Sequence, residues 1–220
     1  MMRIAPFLII LIVTAGCDGD GAPTAPLGRT TNFFVTSATS VTGNLGGLAG
    51  ADATCQRLAT AAGHSAGTWR AYLSAQRDPA NGNQATNARD RIGTGPWYNA
   101  NRVLIANNLA ELHSRQGDAA MFVDEHGLRI NGQWTGSPTP NEHDILTGSN
   151  ADGTLAAGLT CSDWSSDSAS VVGQVGHSDG LGPNQSTAGA QSSWNSAHAN
   201  LNCANTAPRG GAGRIYCFAR

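Results

Sequence analysis

The cysteines limit the fold of this chain more than any other feature. Five occur in 220 residues, Cys17 near the start and four more between positions 55 and 217. An odd number of cysteines leaves one thiol without a disulfide partner. If Cys17 has another role, the other four can form two disulfides in an oxidising compartment. Four cysteines allow three pairings, which sequence spacing does not distinguish. We therefore predict an exported domain that carries two disulfides.

Residues 1–17 are typical of a bacterial lipoprotein leader. Arg3 precedes an apolar run from Ile4 to Val13, which is shorter than the ~20 residues that a membrane-spanning helix needs. Residues 14–17, Thr-Ala-Gly-Cys, resemble a lipobox, with Thr in place of the usual Leu. The sequence thus predicts a signal peptide over 1–16 and acyl chains, palmitate among them, on Cys17. The alternative is an ordinary secretory signal, with Cys17 as a spare thiol.

Composition argues against several classes of partner. Charged residues make up 13% of the chain and the formal net charge is -2, so charge does not favour nucleic acid or an anionic membrane surface. Residues 17–31 are rich in Gly and Pro and predict a flexible linker. We expect the lipid to be the only contact with the membrane.

Residues 32–220 predict one α+β domain. Helical spacing of apolar residues predicts a helix over Ala51–Ala62, and alternation predicts a strand over Thr68–Ser74. Turn-forming residues dominate beyond Trp134, and Gly173–Gly189 is predicted to be a long loop. The other predicted elements are strands at Phe33–Thr36 and Arg214–Phe218, a short helix at Asn87–Arg91, an apolar run at Val103–Ala106, a helix capped by Asn107–Asn108 and ending at His113, and a hairpin-like pair at Ala120–Val123 and Leu128–Ile130.

Several segments, taken in order, resemble the endostatin family. The clearest are GNLGGLAGADATCQRLATAAG at 43–63 and GTWRAYLS at 67–74. Weaker likenesses follow at 119–127, 147–153, 160–164, 202–203 and 215–218. The opening FFVTSATSVTGNLGGLAGADATCQ, together with the lipobox, is similar to the leptospiral endostatin-like outer-membrane lipoproteins.

This resemblance implies a C-type-lectin-like fold with two short helices, a twisted antiparallel sheet and long loops. It also implies nested disulfides, Cys55–Cys217 and Cys161–Cys203. The expected function is that of a non-catalytic binding or adhesion module in the cell envelope, at the outer membrane or cell surface. The expected partner is an extracellular protein or glycan, extracellular matrix included. The family's zinc site uses histidines at the domain's start, and residues 30–34 contain none.

The candidate ligand contacts are tryptophans among turn-formers and polar residues in motifs similar to those of sugar-binding lectins. Pro140-Asn141-Glu142 and Trp194-Asn195-Ser196 are similar to such motifs, which makes a calcium-dependent lectin one alternative. The candidate contacts are Trp97, Trp134, Asn141, Glu142, Asp152, Trp194 and Asn195.

The six histidines show no metal-ligand spacing, and His143-Asp144 beside Glu142 is predicted to lie in a solvated loop. We therefore expect no bound metal or cofactor other than calcium in the lectin alternative.

Residues 63–67, GHSAG, match the G-x-S-x-G elbow of serine hydrolases, with Ser65 as the nucleophile. That elbow needs a strand before it and a helix after it, and here the predicted order is reversed. The stretch is better explained as a helix stop, so we expect no catalytic residues. A secreted hydrolase remains the second alternative, with Asp78, Asp90 or His113 as partners of Ser65.

Overall fold

The computed structural model of the chain describes residue 1 and residues 30–64 and 67–220. The predictions for Cys17, the leader and Ser65 lie outside the described residues. The described part is an α+β domain with few helices and two disulfides. No helix within it is long and apolar enough to cross a membrane.

The helices and strands are short, apart from one helix and the last strand. In chain order they are β1 (Phe33–Val35), α1 (Gly47–Ala61), β2 (Trp69–Ala71), β3 (Ala75–Asp78), β4 (Gln84–Thr86), β5 (Trp97–Tyr98), β6 (Leu104–Ala106), α2 (Leu109–Ser114), β7 (Asp144–Leu146), α3 (Cys161–Trp164), β8 (Gln174–His177), β9 (His198–Ala199) and β10 (Gly211–Ala219). Single 3-10 turns lie at Pro79–Asn81, Ala88–Arg91, Gln133–Thr135, Pro183–Gln185 and Gly189–Ser192.

Strand β10 is the centre of the main sheet, whose order is β1-β10-β7-β8-β9 with β2 also on β10. Cys217 pairs with Phe34 of β1 and with Ala71 of β2, so these two strands lie on opposite edges of β10. The earlier half of β10 pairs in parallel with β7. This corrects the expectation of a wholly antiparallel sheet. The sheet is mixed because the crossover after β9 returns the chain to the far edge of β7.

Two apolar clusters cover the two faces of this sheet. Alternate residues of a strand face opposite sides, so β10 contributes Ile215 and Cys217 to one cluster and Tyr216 and Phe218 to the other. The first cluster includes the buried face of α1, and the second contains seven aromatic side chains.

Helix α1 begins four residues earlier than its apolar periodicity predicts. Gly46 and Gly47 have φ of 76° and 70°, a left-handed conformation that glycine adopts without cost. The side chain of Asn44 accepts a hydrogen bond from the Gly46 N–H at 3.1 Å. Leu48 in the added first turn is only 7% exposed, so its burial accounts for the extension.

The structure pairs Cys55 with Cys217 and Cys161 with Cys203, the nested pairing that the resemblance implies. The outer bridge ties α1 to the central strand β10. The inner bridge joins α3, whose four residues all have positive φ, to the crossover after β9.

Removing the outer disulfide should cost more stability than removing the inner one. The bridges span 162 and 42 residues, so loop-closure entropy predicts losses of about 5 and about 4 kcal/mol. Guanidinium unfolding of the two double alanine variants, Cys55→Ala/Cys217→Ala and Cys161→Ala/Cys203→Ala, measures the difference. A larger loss for the inner pair would contradict this order.

Candidate metal centre

Three strands bring four polar side chains together at one end of the sheet. Asp144, the first residue of β7, lies directly opposite His177, the last residue of β8. His198 of β9 lies opposite Val175, two residues before His177, so it shares the face of His177. His143 precedes β7, and its ring stacks on that of His177 with centroids 4.3 Å apart and planes 11° apart.

The four side chains converge on the carboxylate of Asp144. The Nε2 atoms of His143 and His177 each lie 3.3 Å from its Oδ1, and His198 Nε2 lies 3.6 Å from its Oδ2. His143, Asp144 and His177 are at most 3% exposed, whereas His198 is half-buried. One candidate ligand atom from each of the three buried residues lies within 4.8 Å of the others.

The contacts of the Nδ1 atoms show which imidazole nitrogen carries the hydrogen. His177 Nδ1 lies 2.8 Å from the carbonyl oxygen of Gln191, and His198 Nδ1 lies 2.9 Å from that of Ala199. A carbonyl oxygen only accepts, so each Nδ1 carries the hydrogen. In the neutral ring, Nε2 therefore presents a lone pair towards Asp144.

His143 is held by a carboxylate. Its Nδ1 lies 2.7 Å from Asp179 Oδ1, and Asp179 also accepts the backbone N–H groups of Leu181 and Trp134. Burial raises the pKa of Asp179, but these hydrogen bonds, with that of His143 first, outweigh it and hold the pKa below its usual value. Carboxylates and backbone carbonyls on the outer nitrogen are the usual supports of a metal-binding histidine.

The centre of the cluster lacks the hydrogen bonds that its burial demands. Neither carboxylate oxygen of Asp144 has a hydrogen-bond partner, and neither does His177 Nε2. Burial raises the pKa of Asp144 to about 6, although His143 and His198 favour its charged form. Burial also lowers the pKa of His177 to about 4. Imidazole lone pairs thus face carboxylate lone pairs, and a cation between them would relieve the repulsion and the desolvation cost.

The spacing fits a small transition-metal ion. Imidazole nitrogen and carboxylate oxygen lie ~2.0–2.2 Å from Zn²⁺, so two such ligands at corners of a tetrahedron are about 3.4 Å apart. The two Nε2–Oδ1 distances of 3.3 Å are close to this value.

These positions correct the prediction of a solvated loop for His143-Asp144 and of a long loop for Gly173–Gly189. Both segments enter the sheet, as β7 and β8. Their strands are three and four residues long, and β8 contains Gly176. Polar residues and glycines flank both strands, so neither segment gives an alternation from which a strand can be predicted.

Three of the candidate ligand contacts are inside the protein. Trp97 and Trp194 are at most 1% exposed, and their indole N–H groups donate to backbone carbonyls. Asn195 is 1% exposed and donates to Tyr72 and to two backbone carbonyls. This corrects their assignment as surface contacts: the aromatic core takes up the tryptophans, and Asn195 supports the loop at Asn150.

The other four candidates are at least partly accessible. Trp134 is half-buried under Arg129, whose guanidinium lies 5.0 Å from the ring centroid. Asp152 is exposed. Asn141 and Glu142 are half-buried beside the metal cluster, and Glu142 forms a 2.9 Å ion pair with Arg214.

The residues considered as partners of Ser65 have other contacts. His113 uses one ring nitrogen on Tyr72 and the other on the Leu109 carbonyl. Asp78 accepts hydrogen bonds from Ala80 and Thr86.

Residues 38–181 match the model of a family described as "Protein of unknown function (DUF1554)". The chain belongs to this family. The matched DUF1554 segment covers more than half of the chain and includes His143, Asp144 and His177, and it ends before His198. No curated protein matches the chain.

Proposed function

We propose that this DUF1554 domain is an exported, non-catalytic binding module that holds a zinc ion on His143, Asp144 and His177. The observation that carries the proposal is the convergence of two buried imidazole Nε2 atoms on Asp144 Oδ1, each 3.3 Å away. Each imidazole is oriented from behind, His177 by a backbone carbonyl and His143 by Asp179.

The donor set favours zinc over calcium. Ca²⁺ takes six to eight oxygen ligands, whereas imidazole nitrogen with one carboxylate is a typical set for Zn²⁺. Zinc is also the metal for which a compact four-ligand site suffices. The ion would cross-link β7 and β8 at the end of the sheet where their residues leave buried polar atoms unpaired. A metal ion that binds the folded state and not the unfolded chain would then stabilise the domain.

The proposed context comes from the sequence. We place the domain in the cell envelope, lipid-anchored through Cys17, with a C-type-lectin-like fold of the endostatin type. The α+β architecture and the nested disulfides are consistent with that fold. Its partner would be an extracellular protein or glycan, as the resemblance to the endostatin family implies, and the disulfides are in keeping with an oxidising compartment outside the cytoplasm.

Two polar contacts weaken the calcium-lectin alternative. The carboxylate of Glu142 is engaged by Arg214, and Asn195 is buried as a donor. Asn195 therefore offers no free oxygen at the surface, and Glu142 holds one of its two carboxylate oxygens on Arg214.

Zinc affinity should depend on the three ligand residues. We expect Asp144→Asn and His177→Ala to weaken zinc binding by more than about 100-fold, because loss of a supporting contact alone costs about 10–100-fold. Asp179→Asn should fall within that smaller range. Competition with a chromophoric chelator, on metal-free protein with any purification tag removed, measures the dissociation constants.

Exposed residues of the same types provide the matched controls. Asp152 and His126 are both well exposed and lie in other loops, so Asp152→Asn and His126→Ala should leave zinc affinity unchanged. The proposal fails if His177→Ala binds zinc as tightly as His126→Ala.

The anchor is tested separately from the metal. Replacing Cys17 with Ser removes the acyl acceptor, so we expect the protein to move from the membrane fraction to the soluble fraction, with zinc binding unchanged. Fractionation of cells that express the full chain measures this. Unchanged membrane retention would exclude lipidation as the anchor.

A further inference from the structure

We infer that the metal ion keeps one coordination position for the carboxylate of a ligand that enters through a neighbouring cleft. This inference rests on the proposed zinc site and adds to it the chemical class of what the module binds. It follows from the position of His198, the shape of the protein beside His143, and the charge of the assembled site.

His198 lies outside the compact set of candidate ligands. Its Nε2 lies 3.6 Å from Oδ2, whereas His143 and His177 both approach Oδ1. The three buried residues therefore form one compact ligand set, and His198 stands on the other oxygen of the same carboxylate. Three protein ligands leave a tetrahedral zinc one position short.

A cleft of about 360 Å³ adjoins this position. It is lined by residues 39–41, 140–142, 205–207 and 210–212. Gly210 forms the boundary: a Cβ at this position would lie 3.1 Å from His143 Nε2 and 2.7 Å from Asn141 Nδ2. Only a glycine leaves that space open, and it is next to a ligand atom of the metal.

The charges favour an anion. The carboxylates of Asp144 and Asp179 balance the two charges of Zn²⁺, and the nearby Arg209 adds a positive field that acts on Asp144. The amide nitrogen of Asn141 lies at the same boundary as Gly210. A carboxylate at the open position can accept a hydrogen bond from the Asn141 N–H while it binds the metal.

The cleft also has an apolar rim. Val41 lines it and is 77% exposed. The ligand we infer is therefore a small carboxylate with an uncharged body, such as the end of a peptide chain or an acidic sugar.

Cobalt-substituted protein tests this directly, because the visible absorption of Co²⁺ changes when its ligands change. With acetate as the probe and chloride at equal ionic strength as the control, we expect a saturable spectral change in the wild-type protein. Gly210→Ala should weaken acetate binding about tenfold or more, since the added methyl group occupies the boundary. N-acetylglycine and glucuronate, tested in parallel, distinguish a peptide end from an acidic sugar.

His198→Gln separates the two arrangements of the site. If His198 is not a ligand, this variant still responds to acetate as the wild-type protein does. If His198 is the fourth ligand, the wild-type protein shows no response and only His198→Gln responds, which would overturn the inference. In that case cobalt still binds and the proposed zinc site stands. Failure of cobalt to bind at all would instead contradict the proposed function.

Because the backbone at Gly210 has φ of 109°, Gly210→Ala also strains the chain. The second variant, Asn141→Leu, leaves Gly210 in place and so does not strain the backbone there. It should weaken acetate binding while cobalt affinity is retained. Unchanged acetate affinity in both variants would show that the ligand does not enter through this cleft.

Discussion

The parallel pairing of β10 with β7 is the constraint on which the rest of the structure depends. β10 carries the outer disulfide at Cys217 and pairs with β1 and β2, so it joins the two ends of the domain. At its start, the carbonyl of Gly210 accepts the N–H of Asp144 at 2.9 Å. The same strand that closes the fold thereby sets the position of the carboxylate at the centre of the candidate site.

The candidate site has an electrostatic cost that the fold does not offset by itself. Most buried polar groups in a protein are paired, whereas both oxygens of Asp144 and Nε2 of His177 are not. The surrounding groups are nonetheless well ordered by hydrogen bonds, from Gln191, Ala199 and Asp179. These unpaired atoms are the support for the proposed cation, and imidazole nitrogens favour a transition metal over calcium.

Sequence reasoning succeeded where local patterns are distinctive. The apolar periodicity around Cys55 predicted α1, the Asn108 cap predicted α2, and the β-branched and aromatic runs predicted the first and last strands. It failed at β7 and β8, which are about as short as β1 but lack its unbroken run of aromatic and β-branched residues. The metal cluster was missed for the same reason. His143, His177 and His198 are far apart in sequence, and only the register of β7, β8 and β9 brings them together. The adjacent pair His143-Asp144 was the one local signal.

The central claim is that a metal ion binds where the three buried residues converge. Crystals of the zinc-loaded protein, measured on both sides of the zinc absorption edge, locate the ion by anomalous scattering. We predict one strong peak at about 2.0–2.2 Å from His143 Nε2, His177 Nε2 and Asp144 Oδ1. A zinc peak elsewhere on the protein, with none among these three residues, would contradict the account.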